Sequence, residues 1–202
     1  MTIAILDYGM GNLHSVARAI EQVGGTTEVT QKPDTAARAD ALVVPGVGAF
    51  GACMRTLAHH RLAAVVRDFA ASDRPLFGVC LGMQVLFDGS EEDPEEGLGI
   101  LAGRCRKLPS NVKVPHMGWN DVAWVEPHPY VDGIPSGTRF YFVHSYAADV
   151  AGGTTVGVAE HGRAFSAAVA HANVFATQFH PEKSGDAGLA IYEAFVKEAT
   201  AA

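Results

Sequence analysis

The chain has 202 residues, enough for one domain, and 48% of them are apolar, enough to bury a core without a disulfide or metal staple. A formal net charge of -7, with no basic cluster larger than Arg104, Arg106 and Lys107, argues against nucleic-acid binding. No stretch approaches the ~20 apolar residues of a membrane span, and the first residues lack the basic and long apolar regions of a signal peptide.

In chain order, Thr2 to Leu6 reads as a buried strand running into the turn Asp7-Tyr8-Gly9-Met10-Gly11, with Asn12 placed to cap a helix. Val16, Ala17, Ile20 and Val23 recur at helical spacing until Gly24-Gly25. Thr26 to Thr30 is β-prone. Ala41 to Val44 is a second buried strand, ending at Pro45-Gly46-Val47-Gly48. Leu57 to Ala71 is expected as helix, Pro75 to Val79 as a third strand and Leu81 to Phe87 as helix. Ser90 to Glu96 reads as an acidic turn.

Beyond Gly97 the texture changes to frequent Gly and Pro with β-rich pieces at 139–143, 154–159 and 164–169, expected as antiparallel hairpins. Val174 to Phe179 is a last strand running into His180-Pro181-Glu182, and Ala187 to Ala199 is a closing helix. Short apolar strands alternating with helices predict an α/β fold: three αβα layers with a mainly parallel central sheet, plus a smaller antiparallel portion in the second half. With no repeat or linker, residues 1–202 read as a single domain.

Cys53, Cys80 and Cys105 show no CxxC or other metal-ligand spacing, which points to no metal site and to a reducing, cytoplasmic setting. Of the three, Cys80 stands out in Gly78-Val79-Cys80-Leu81-Gly82. A G-x-C-x-G segment between a strand and a helix is the cysteine counterpart of the nucleophile elbow. The turn would set the sulfur at a helix N-terminus, which favours thiolate, and aim the Leu81 N–H at a developing oxyanion. The bland alternative is a small buried hydrophobe, and that reading is kept for Cys53 and Cys105.

In His180-Pro181-Glu182 an extended backbone puts the histidine and carboxylate on one face, with Pro181 biasing His180 toward that geometry. Such a carboxylate can fix one imidazole tautomer, as in a catalytic triad, although the same spacing also serves an exposed ion pair. A histidine at the end of a parallel strand would lie close to the elbow.

The elbow and the Gln178-Phe179-His180-Pro181-Glu182 ending resemble class I (triad) glutamine amidotransferases, and the resemblance runs end to end. Asp7 to Asn12, Pro45 to Phe50, Gly78 to Gln84, Pro115-His116-Met117-Gly118-Trp119-Asn120 and Phe142-Val143-His144-Ser145-Tyr146 are similar to the histidine-biosynthesis branch, the glutaminase subunits of imidazole glycerol phosphate synthases.

The resemblance implies glutamine hydrolysis through a cysteinyl thioester, with Cys80, His180 and Glu182 catalytic and Val47 and Leu81 in the oxyanion hole. It implies Gly46, Gly48, Gln84, Glu92 and Ser145 around the substrate, although Glu92 also reads as part of a solvated acidic loop. It implies no cofactor. Ammonia would pass to a (β/α)8-barrel cyclase subunit in a heterodimer, with Asn12, Trp119, Tyr141 and Lys183 at the interface, although composition alone makes Trp119 a core residue.

Val47 stands where most of the wider family carries glycine. A β-branched residue resists positive φ, so its peptide is expected to reorient only when partner and acceptor substrate are bound. Three competitors stand beside this reading: the glutaminase subunit of another amidotransferase such as anthranilate synthase, a cysteine peptidase or hydrolase of similar fold, and a nucleotide-binding module. The last is weakened by His14 standing where a dinucleotide fingerprint needs glycine.

Overall fold

A computed structural model describes residues 1–201. Five strands form the parallel half of the main sheet: β1 (Ile3–Leu6), β2 (Thr27–Thr30), β3 (Ala41–Val44), β4 (Leu76–Val79) and, far along the chain, β13 (Val174–Thr177), in the order β2-β1-β3-β4-β13. Strand periodicity divides their side chains between two cores. Ile3, Ile5, Val43 and Phe77 pack with α1 (Leu13–Gln22) and the closing helix α6 (Gly185–Ala201). Ala4, Leu6, Leu42 and Val44 pack with α2 (Pro33–Ala37), α3 (Phe50–His59) and α4 (Leu62–Ala70). Burial on both faces is why β1, β3 and β4 read as unbroken apolar runs, whereas β2 at the sheet edge is largely exposed, and this packing gives the expected three layers.

The antiparallel portion is a continuation of the same sheet. Beyond β13 it runs through β12 (Ala164–His171), β11 (Thr155–Glu160), β8 (His116–Trp124) and β9 (Thr138–His144), making nine strands. A second sheet of four strands is ordered β10 (Tyr146–Ala148), β7 (Leu101–Lys107), β5 (Phe87–Ser90), β6 (Asp93–Glu96).

Three expected elements differ. The helix expected over 57–71 is two helices, because Arg61 adopts φ 57 and breaks the ladder between α3 and α4. The acidic turn at 90–96 is the hairpin of β5 and β6. The helix expected over 81–87 is the short α5 (Leu81–Gln84). Its continuation is captured from outside: the Val85 carbonyl accepts from Leu98 N, and that of Leu86 from Ile100 N and Leu101 N, both at 2.9 Å. All seven residues from Leu81 to Phe87 are buried, so hydrophobic periodicity carries no signal about where the helix stops.

Candidate active site

Strands β3, β4 and β13 are adjacent and parallel, so their C-terminal ends open on one crevice, where ligand sites of such sheets lie. The chain leaves β3 into Pro45-Gly46-Val47-Gly48, β4 into Cys80, and β13 into His180. Three segments distant in sequence therefore meet because of strand order alone.

Cys80 is the N-cap of α5 with φ 55 and ψ -107, a conformation rare for a residue with a side chain. Its N–H donates to the Thr177 carbonyl at 2.7 Å, tying the elbow to β13. The flanking glycines are required by contact. A Cβ on Gly82 would lie 1.7 Å from the Val44 carbonyl oxygen, and one on Gly78 would lie 2.9 Å from that of Gly82.

His180 is held by its N–H to the Tyr141 carbonyl (2.9 Å), and its Nδ1 lies 2.7 Å from Glu182 Oε1, with both side chains buried. Burial disfavours the imidazolium, but Cys80 and Glu182 together outweigh it and raise His180 to about 10. The second nitrogen, Nε2, is buried and has no hydrogen-bond partner among the described residues. The Cys80 sulfur lies 3.7 Å from Gln178 Nε2 and 3.8 Å from the Val143 carbonyl. A strained nucleophile, a basic imidazole and a buried orienting carboxylate form the set that nucleophilic acyl transfer needs.

Beside the sulfur lies a cavity of about 230 Å³. Val47, Gly48, Leu81, Gln84, Glu92 and Ser145 all line it. Gly46 lies behind this wall, and its carbonyl accepts from the Leu81 N–H at 3.3 Å. The donor expected to face an oxyanion is thus engaged by the Gly46–Val47 peptide, whose oxygen, not its N–H, points toward it. Glu92 reaches the cavity while accepting from Phe50 N at 2.9 Å, so it also caps α3, whose own N-cap, Ala49, cannot. The sequence did not single out Pro115, Val143, His144 and Tyr146 in the lining, or Gln178, which accepts from Gln84 Nε2 at 3.0 Å. A strand residue contributing a backbone group or a buried amide leaves no local signature.

Among the expected interface residues, Trp119 is 49% exposed and stands edge-on to Tyr141 at 6.2 Å, with Lys183 Nζ 5.7 Å from the Tyr141 ring. Exposure removes the core reading of Trp119. Asn12 occupies the N-cap position of α1 and is exposed, without making a side-chain capping bond. Among the described residues, no group of three or more His, Cys, Asp or Glu side chains converges as metal ligands would, and no helix is long and apolar enough to cross a membrane. A larger groove of about 670 Å³ runs along 124–134, away from the elbow.

The model of the family "Glutamine amidotransferase class-I" matches residues 4–199. The chain is 48% identical to the imidazole glycerol phosphate synthase subunit HisH of Aromatoleum aromaticum, over 96% of this chain and 97% of that protein. It is 45% identical to HisH of Moorella thermoacetica, over 96% and 93%. Among solved structures it resembles PurLQS from Thermotoga maritima (TM-score 0.75, 19% identity, 97% of each chain covered) and the glutaminase domain of Trypanosoma brucei CTPS (TM-score 0.73, 20% identity, 100% and 94% covered). At those identities the likeness is one of fold.

Proposed function

The chain belongs to the class I glutamine amidotransferases, and from that membership we propose that it is the glutaminase subunit of an imidazole glycerol phosphate synthase, acting in histidine biosynthesis. The observation that carries the reaction is the elbow itself: Cys80 at φ 55 on the edge of a cavity, with the His180–Glu182 pair beside it.

Glutamine enters with its carboxamide at the sulfur. Cys80 attacks the carboxamide carbon, and the thiol proton passes to His180. Glu182 fixes the ring through Nδ1, so Nε2 is the atom that carries the proton. The same Nε2 protonates the departing nitrogen, the C–N bond breaks, and ammonia and a glutamyl thioester result. Water activated by His180 then attacks the thioester and releases glutamate and the thiol.

The tetrahedral intermediate requires two N–H donors near its oxygen. Leu81 supplies one only after the Gly46 carbonyl withdraws, and rotating the Gly46–Val47 peptide does this while presenting the Val47 N–H. The turn before α1 lies against this loop, since a Cβ on Gly48 would come within 2.7 Å of Met10 Cε. Partner docking on the surface of Asn12, Trp119, Tyr141 and Lys183 is therefore well placed to bias the peptide. The partner is a cyclase of (β/α)8-barrel fold that consumes the ammonia, in a cytoplasmic heterodimer.

The test mixes the chain with the cyclase partner plus its ribotide substrate and follows glutamate release. Release that depends on the cyclase and is lost in Cys80→Ala supports the assignment; turnover unchanged in Cys80→Ala sinks it.

A further inference from the structure

Behind the glutamine cavity lie three histidines that the reaction does not use. His116 on β8 and His144 on β9 are both 5% exposed, and His116 Nδ1 lies 2.9 Å from His144 Nε2. His116 is stacked between Phe142 (ring centroids 4.9 Å) and His161 (4.2 Å). The hydrogen bonds around the pair settle which nitrogen carries each proton. His144 Nδ1 lies 2.9 Å from the Tyr146 carbonyl, an acceptor only, so it bears the hydrogen and leaves Nε2 bare. His116 Nδ1–H must therefore donate to that Nε2, which leaves His116 Nε2 as an acceptor. The Asn120 amide faces it at 3.3 Å, oriented by its own bonds to the Glu160 carbonyl (2.9 Å) and from Asp121 N (2.9 Å).

The chain of donors thus runs one way, from Asn120 through His116 and His144 to the Tyr146 carbonyl. That carbonyl also accepts from Gln84 Nε2 at 2.8 Å, and His144, Tyr146 and Gln84 all line the cavity. At its other end, Asn120 and His116 flank Met117 and Trp119 on β8, exposed by 62% and 49%.

We propose that the His116–His144 pair is a positioning device for glutamine binding: by donating through His144 it fixes the Tyr146 carbonyl, and with it the Gln84 amide, in register with the outward-facing strand β8. The proposal rests on the glutaminase reading above. Neither histidine touches the scissile carboxamide in this scheme, so the pair acts on substrate affinity and not on the chemical step.

The experiment uses the complex with the cyclase partner. It first requires that the wild-type chain release glutamate and that Cys80→Ala does not; failure there defeats the glutaminase reading and not the pair. His116→Phe keeps the stack on Phe142 and His161 and deletes the donor. It is expected to raise KM for glutamine about tenfold while kcat changes less than about twofold. His116→Asn, whose amide can stand where Nδ1 stood, is expected to restore KM to within about threefold of wild type, and His116→Gln, whose amide matches Nε2 instead, to behave like His116→Phe. An unchanged KM in His116→Phe, or His116→Asn as impaired as His116→Gln, overturns the proposal. The two amide variants decide the matter even if the phenylalanine variant fails to fold.

Discussion

At the residue scale, the elbow shows how a few contacts dictate composition. Gly82 has no room for a methyl group, because the backbone of Val44 and Pro45 at the end of β3 lies against it. Gly82→Ala must push the elbow off Val44 and is expected to destabilise the fold by about 3 kcal/mol, lowering Tm by about 6–12 °C. Thermal unfolding of the variant measures this, and loss of Cys80 reactivity should accompany it. Contacts of this kind are legible in sequence, since a glycine on each side of a cysteine after an apolar strand marks a turn too crowded for side chains. His180 and Glu182 are legible for a similar reason, as Pro181 restricts the local backbone. Gln178 is not: a buried amide two residues before His180 has no spacing rule, and only the fold shows it meeting Gln84 and Cys80. Glu92, which the sequence left between a substrate contact and a solvated acidic loop, lines the cavity and ties down a helix terminus.

At the element scale, the strand pair β8–β9 carries a polar core that responds to pH. Burial above all, with the neighbouring base His161, lowers His116 to about 4; burial, with His116, His161 and His180 and against the hydrogen bond to the Tyr146 carbonyl, lowers His144 to about 3. In the unfolded chain both would titrate near 6.5. Below that pH the unfolded state binds more protons than the folded one, so this contribution is present above 6.5 and lost as pH falls toward 4. Urea unfolding at pH 7 and pH 5 should therefore show a drop in midpoint that is smaller in His116→Phe. His180 has the opposite sign: raised to about 10, its contribution is present below 6.5 and lost as pH rises through 10.

Sequence patterns announced β9, because it alternates around aromatic residues, but not β8, where His116, Gly118 and Asn120 point inward from a strand that looks polar. Nor did they place the end of α5, which is set where the N–H groups of Leu98, Ile100 and Leu101 capture the carbonyls of Val85 and Leu86.

At the scale of the whole molecule, the parallel half of the sheet was readable from its apolar runs, and the antiparallel half only as hairpins. What joins them is β13, which enters from the far end of the chain, pairs parallel with β4 and antiparallel with β12, and delivers His180 to Cys80. Long-range pairing of this sort leaves no local pattern, so the expected placement of His180 near the elbow came from the rule that sites lie at the C-terminal ends of parallel strands, and not from periodicity.

Val47 and Pro115 line the same cavity, and Pro115 leads into the strand bearing the exposed Met117 and Trp119, so a partner on that face and a peptide at Val47 can be coupled. That coupling is central to the function proposed, in which Cys80 and His180 are already in place while the Leu81 N–H is held by the Gly46 carbonyl. The most direct test is the rate of glutamate release by the purified chain, first alone and then with the cyclase partner plus its ribotide substrate. Release by the chain alone should be slower by at least about 100-fold, the effect of a missing oxyanion donor; a chain that hydrolyses glutamine alone as fast as in the complex would contradict the coupling.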